Sequence, residues 1–321
     1  MGKVHRNLKT ALSSSLSAQN PLTRQESCAL AQKKSCCNGI GYHIEAEGPY
    51  LAAHLCSCVK ECPSCYGQCR KLENGISVAC RTPSPLRIVN ILNSSNIPAR
   101  YSTADLRTFS NFSGNGREIV GSMLRWADTF ALKQSKGIIL EGPVGVGKTF
   151  LLAALGKELA QKGIEVRFID FFQLLNRLKA SMGTQQKSDE DLLQPLIDVD
   201  VLIVDELGKG RNSDFELSVL DQLVMGRYNQ NKTILASTNY KAKPETAKIR
   251  SSSAYTASFD QFGARGGFTP DNSETLIDRV GERIYSRLLE TTHITEITGE
   301  DFRMATYKKS ACQVPKPQTT R

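Results

Sequence analysis

The sequence predicts an α/β fold, a parallel sheet flanked by helices, preceded by a small cysteine-rich module. Three observations carry this. A glycine-rich turn, Gly142 to Thr149, joins the apolar run Gly137-Ile138-Ile139-Leu140 to a helical pattern from Phe150 to Lys162. Further buried-type strands, Glu165 to Ile169, Val199 to Val204, Thr233 to Ser237 and Ile294 to Ile297, alternate with helical stretches, as a parallel sheet requires. Nine of the ten cysteines crowd between Cys28 and Cys80, leaving Cys312 alone.

Composition narrows the class. With 321 residues, 40% of them hydrophobic and 23% charged, the chain is neither a disordered tail, a collagen-like fibre nor a small disulfide scaffold. The net charge of +9 is uneven: residues 1–100 hold 12 basic and 5 acidic residues, and the rest is nearly neutral. No run approaches the ~18 apolar residues that span a bilayer. No apolar stretch backs the charges at the start, and Arg6 stands where an acylation signal needs Ser or Thr, so a cytoplasmic chain with no membrane partner is expected. The expected division is a Ser-, Lys- and Gln-rich tail over 1–27 and the cysteine-rich module over 28–81. A linker over 82–96, a nucleotide-binding domain over 97–303 and a tail over 304–321 follow.

The cysteines nearly repeat. Cys37-Asn38-Gly39-Ile40-Gly41 leads to Cys56-Ser57-Cys58, and Cys62-Pro63-Ser64-Cys65, with Cys69, leads to Cys80. Each half is a Cys-turn-Gly knuckle, a polar hairpin-like segment and another cysteine, similar to zinc ribbons. A reducing compartment and this spacing favour tetrahedral Zn2+ over disulfides. Cys62 and Cys65 form a clean C-x-x-C. In the first half Lys34 occupies the matching place, and Cys36 substitutes. One or two ions are expected from Cys36, Cys37, Cys56, Cys58, Cys62, Cys65, Cys69 and Cys80. Metal binding is worth roughly 10–16 kcal/mol in small modules, so 28–81 is expected to fold only with zinc, and the domain from Ile97 without it.

The chemistry sits in the second half. Gly142-Pro143-Val144-Gly145-Val146-Gly147-Lys148-Thr149 fits G-x-x-x-x-G-K-[ST], with a strand before it and a helix after it. Backbone N–H groups of such a loop wrap the β-phosphate of ATP at a helix N-terminus. Lys148 then reaches the β/γ oxygens and Thr149 supplies an oxygen to Mg2+. The strand ending at Val204 delivers Asp205 to hold Mg2+ through water, and Glu206 to polarise the attacking water. Kinase chemistry would need an acceptor pocket and lid instead, and a vestigial site would not keep Lys148, Asp205 and Glu206 together.

Residues 97–303 resemble the AAA+ ATPases of the DnaC-type replicative helicase loaders and the related IstB-type transposition helpers. The likeness rests on Ile97-Pro98-Ala99-Arg100-Tyr101, the phosphate loop, and Leu202 to Gly208. Arg227 to Lys232, Ser237-Thr238-Asn239-Tyr240, Gly281 to Leu288 and Ile294 to Arg303 extend it. It implies an AAA+ sheet, with Ile97 to Tyr101 on the adenine side and Asn239 sensing the γ-phosphate. It also implies Arg287 as an arginine finger completing a neighbour's site by self-association, with Arg283 one turn earlier as understudy. The residues after the last strand are too few for a full helical lid, so a second sensor arginine is not expected, Arg303 being the nearest candidate.

The resemblance implies a loader that binds the replicative helicase through the cysteine-rich module and also binds single-stranded DNA. The transposition helper is the alternative, and the cysteine-rich front favours the loader. Leu174, Leu175 and Leu178 share a helical face and read as core, leaving Arg177 and Lys179 for phosphate. The long stretch 241–275 interleaves aromatics with arginines but is barely charged, and reads as a mobile insertion.

Overall fold

A computed structural model of the chain describes residues 35–60, 68, 70–73, 75–79, 83–110, 114–181, 189–242 and 274–304. In chain order these form β1 (Tyr42–Glu47), β2 (Tyr50–Leu55), α1 (Ser57–Lys60), β3 (Arg70–Glu73), β4 (Ile76–Ala79) and α2 (Pro85–Ser94). Then come α3 (Gly116–Thr129), β5 (Gly137–Glu141), α4 (Lys148–Gln161), β6 (Val166–Asp170), α5 (Phe171–Ser181), α6 (Asp189–Asp198) and β7 (Val201–Asp205). The chain continues through α7 (Asp214–Asn229), β8 (Thr233–Thr238), α8 (Leu276–Val280), α9 (Glu282–Thr291) and β9 (Thr292–Glu296).

Two compact units result: residues 1–41 with 56–85, and residues 42–55 with 86–321. In the first, β3 and β4 pair antiparallel from Arg70↔Ala79 to Glu73↔Ile76, and Cys37, Cys56, Cys58 and Val59 are buried. In the second, five strands run parallel in the order β6-β7-β8-β5-β9. β7 and β8 are buried along their whole length, which is why they read as continuous apolar runs rather than alternating ones. Their side chains still alternate between faces: Val201, Ile203 and Leu235 pack in one core cluster with α2, α3 and α4 residues. Leu202, Val204, Ile234 and Ala236 pack in the other, with α5 to α9.

The expected boundaries are corrected at two places. Residues 42–55 do not belong with the cysteines: β1 and β2 form a hairpin whose Tyr42, Leu51 and Ala53 are buried in the core with Ile88, Leu92 and Ile97. Leu51 N–H donates to Ile97 O at 2.9 Å, and the Asn93 amide brackets Ala53 by bonding both its N–H and its C=O. The expected linker, 82–96, carries α2, with Ile88 and Leu92 fully buried. Pro85 is its first helical residue, where the fixed φ and the missing N–H cost nothing, so the Pro-Ser-Pro run starts a helix instead of loosening the chain.

Candidate nucleotide-binding site

The site lies at the carboxyl ends of β5, β7 and β8, where an open parallel sheet presents its strand tips. The loop from Gly142 to Gly147 joins β5 to α4. Gly145 has φ +85°, and a Cβ there would sit 2.1 Å from Asp301 Cγ; Gly147 has φ +106° and would strike the Phe109 ring at 2.6 Å. Only glycine fits either place. Lys148 opens α4 and is buried, its Nζ donating to Gly142 O and Pro143 O at 2.7 Å each. Burial pulls its pKa down to about 8 against the attraction of Asp205 and Glu206.

The metal-side acids are prearranged. Thr149 Oγ1 donates to Asp205 Oδ1 at 3.0 Å, and the same oxygen accepts from Ser237 Oγ at 2.5 Å. Ser237 Oγ in turn accepts the Glu206 N–H at 3.0 Å, fixing that residue at φ +58°, a conformation rare for a non-glycine residue. Burial holds the Asp205 carboxyl above its ordinary range, opposed by those two hydroxyls. An oxygen-only pair of this kind, Thr149 beside Asp205, suits a hard cation such as Mg2+. Glu206 is half-exposed and paired with Lys209.

A cavity of about 460 Å³ runs along the loop, lined by Arg100, Tyr101, Phe109, Val144 to Phe150, Glu206, Asn239, Phe302 and Arg303. A neighbouring cleft of about 520 Å³ shares Tyr101, Thr149, Glu206 and Arg303 with it and extends to Tyr50, Asp170, Arg177 and Lys209. The structure thus brings together the phosphate loop, Asp205, Glu206 and Asn239. Arg287 lies elsewhere, on α9 and not on the walls of this cavity. Its guanidinium donates to Arg283 O at 3.0 Å and lies 5.5 Å from the Tyr228 ring centroid. Arg283 faces Asp221 at 3.6 Å.

Three expectations need adjusting. Ile97 is wholly buried in the core, so Arg100 and Tyr101 are the wall residues of that segment. Lys179 is paired with Glu216 at 3.4 Å and Arg177 donates to Tyr50 Oη at 2.9 Å, so neither stands free as expected. Leu174, Leu175 and Leu178 are buried, as their spacing predicts. In the insertion, residues 243–273 lie outside the described residues; its ends are pinned together by the Lys241–Thr275 bridge and Leu276 N–H to Lys241 O at 2.8 Å.

Sequence reasoning missed several participants. After β9 the chain turns back over the phosphate loop: Ile297 N–H donates to Glu141 O, and Phe302 N–H to Gly145 O at 3.0 Å. Asn115 fixes the start of that turn, donating to Glu296 O and accepting from Thr298 N–H. This delivers Phe302 and Arg303 to the cavity. Buried Lys157 holds Ser102 O and Ala104 O, and so positions the turn behind Tyr101. Ser237 was legible, standing on β8 two residues before Asn239, which follows the strand's end.

Among the front cysteines, Cys36, Cys37, Cys56 and Cys58 place their sulfurs within 4.8 Å of one another. Cys62, Cys65, Cys69 and Cys80 lie outside the described residues. Among the described residues no helix is long and apolar enough to cross a membrane.

The strand order and the loop, acid and amide at the strand tips define a P-loop nucleotide-binding domain of AAA+ type. Residues 86–245 match the family model described as IstB-like ATP binding protein. The chain is 24% identical over 164 residues to the replicative helicase loader DnaC of Buchnera aphidicola subsp. Acyrthosiphon pisum, covering 50% of this chain and 66% of that protein. It is 32% identical over 101 residues to DnaC of Escherichia coli K12, covering 32% and 41%. The crystal structure of the DnaC helicase loader superposes with a TM-score of 0.49 at 26% identity, over 62% of this chain and 99% of that one. The chain spans less than two thirds of the length of these curated relatives. It is similar to the DnaC-named helicase loaders and, over residues 86–245, to the IstB-like ATP binding proteins.

Proposed function

We propose that this protein is an ATP-hydrolysing loader of a replicative DNA helicase, working in the cytoplasm. It would dock the helicase through its cysteine-rich front segment and bind single-stranded DNA. The observation that carries the role is the run of curated relatives named as replicative helicase loaders. For the chemistry, the support is the convergence of Lys148, Thr149, Glu206 and Asn239 on one cavity, with Asp205 bonded to Thr149 and lining the neighbouring cleft.

In this reading Lys148 leaves the two loop carbonyls for the β/γ-phosphate oxygens, where the N-terminus of α4 also favours negative charge. Thr149 and Asp205 hold Mg2+, which neutralises phosphate charge when bound. Glu206 takes the proton of the attacking water, and Asn239 holds the γ-phosphate side. Arg287, away from its own chain's cavity, acts in a neighbouring subunit, so self-association completes the site. Zinc is the structural ion of the front segment.

The second reading, a transposition helper, is favoured by the IstB-like family match. Affinity purification of the tagged chain from its native cells, with ATP present, separates the two. Recovery of the replicative helicase supports the loader, and recovery of a transposase with no helicase overturns it.

A further inference from the structure

We infer that Cys36, Cys37, Cys56 and Cys58 form one closed four-thiolate zinc site, and that this site brackets the β1–β2 hairpin. The inference rests on the reading of the front segment as zinc-binding and narrows it to four residues and one ion.

The geometry fits a single tetrahedral ion. Zinc–sulfur bonds of about 2.3 Å place ligand sulfurs about 3.8 Å apart. Here Cys36 and Cys56 sulfurs are 3.2 Å apart, Cys37 and Cys58 sulfurs 3.6 Å, and all four lie within 4.8 Å. Both separations far exceed the ~2.05 Å of a disulfide. Cys37, Cys56 and Cys58 are buried, with only Cys36 at the surface.

The backbone is shaped for thiolates. Asn38 and Gly39 take positive φ, +50° and +81°, which turns the chain so that Gly41 N–H donates to Cys37 Sγ at 3.2 Å. Amide donors of this kind orient a metal-bound sulfur and offset its charge. On the other side Cys56 N–H donates to Gly41 O, and Val59 N–H to Cys56 O, so the second ligand pair enters on the first turn of α1. Each thiol would release its proton to solvent as the ion binds.

The ligand pairs flank the hairpin in sequence: Cys37 precedes Tyr42 by one short turn, and Cys56 follows Leu55 directly. The hairpin itself is built into the nucleotide-binding unit, where Tyr50 lines the cleft beside Glu206. The ligand pairs are joined covalently to the two ends of the hairpin, so the ion closes a loop of chain from Cys37 to Cys56 that contains it.

The test uses the full chain. Cys37→Ser with Cys58→Ser is compared with Cys62→Ser with Cys65→Ser, zinc being counted by elemental analysis. Hydrogen exchange is followed over residues 42–55. The first pair is expected to lose one equivalent of zinc and the exchange protection of the hairpin; the second should keep both. Because the first pair could unfold the segment, cobalt is also loaded into Cys36→His, where the surface ligand is exchanged conservatively. Its spectrum should shift from a four-sulfur to a three-sulfur, one-nitrogen tetrahedral pattern. Zinc fully retained by Cys37→Ser with Cys58→Ser, an unshifted Cys36→His spectrum, iron in place of zinc, or a disulfide among these four found by mass spectrometry would each overturn the site. Zinc lost only with Cys62 and Cys65 would sink this assignment while leaving a zinc-bearing front segment intact.

Discussion

Lys209 Nζ lies 2.5 Å from Glu206 Oε2, three residues along the same turn, and the pairing is the largest cause of the raised Lys209 pKa. The acid assigned to polarise water is thus engaged by an ammonium that also lines the cleft toward Arg177. A partly exposed pair of this kind is worth about 0.2–1 kcal/mol. Lys209→Ala should therefore raise basal ATP turnover by up to about fivefold, since 1.4 kcal/mol is tenfold. Glu206→Gln should bind ATP and fail to hydrolyse it. Steady-state phosphate release checks both, and undiminished turnover in Glu206→Gln would remove its assigned role.

Lys148 links nucleotide binding to pH. Its pKa in the folded chain is lowered to about 8 by burial, so between pH 8 and its ordinary value of 10.5 the folded chain binds fewer protons than the unfolded one. Stability from this group therefore rises with pH across that window. Phosphate should pull the pKa back up, and ATP binding near pH 8 should take up a fraction of a proton. Calorimetric titration in two buffers of different ionisation heat measures it; Lys148→Ala should abolish binding.

Arg287→Ala should bind ATP normally but lose partner-stimulated hydrolysis. Mixed with Lys148→Ala, it should regain part of that activity, because one interface then carries an intact loop and an intact arginine. A finger supplied in trans is worth ~10³–10⁵ in rate. No recovery at any mixing ratio would place the whole site within one subunit.

A chain begun at Ile97 should not fold, contrary to what the sequence led us to expect. It would lack Tyr42, Leu51, Ile88, Val89, Ile91 and Leu92, all buried in the core. At ~1.5–3 kcal/mol for each large apolar side chain, the loss approaches the whole stability of a domain. A well-dispersed amide spectrum from 97–321 would contradict this.

Arg227 is wholly buried, and its guanidinium donates to the carbonyls of Leu196, Ile197, Val199, Asp200 and Thr233. Burial lowers its pKa to about 9. Arg227→Ala would strand several carbonyls at the C-terminal end of α6 and should cost roughly 3 kcal/mol or more. Denaturant unfolding of the full chain reads this directly, and a change within 0.5 kcal/mol would show that water replaces the bonds.

What the sequence determined by itself was local. Gly142 to Thr149, with the run before it, specifies a strand, a turn with three positive-φ glycines and a helix start within a dozen residues, and Val201 to Glu206 carries its acids at the end of an apolar strand. Such features depend on neighbours in the chain, so periodicity and spacing reveal them. Only the tertiary structure decided the rest. It assigned β1–β2 and α2 to the nucleotide-binding unit, since a hairpin with three buried side chains on one face looks the same in sequence whichever core receives it. It also tied Lys179 to Glu216, 37 residues away, and brought Arg303 to the phosphate loop through the Phe302–Gly145 bond. Those pairings join residues far apart in the chain, and no local pattern encodes which distant elements come to lie side by side, the strand order β6-β7-β8-β5-β9 included.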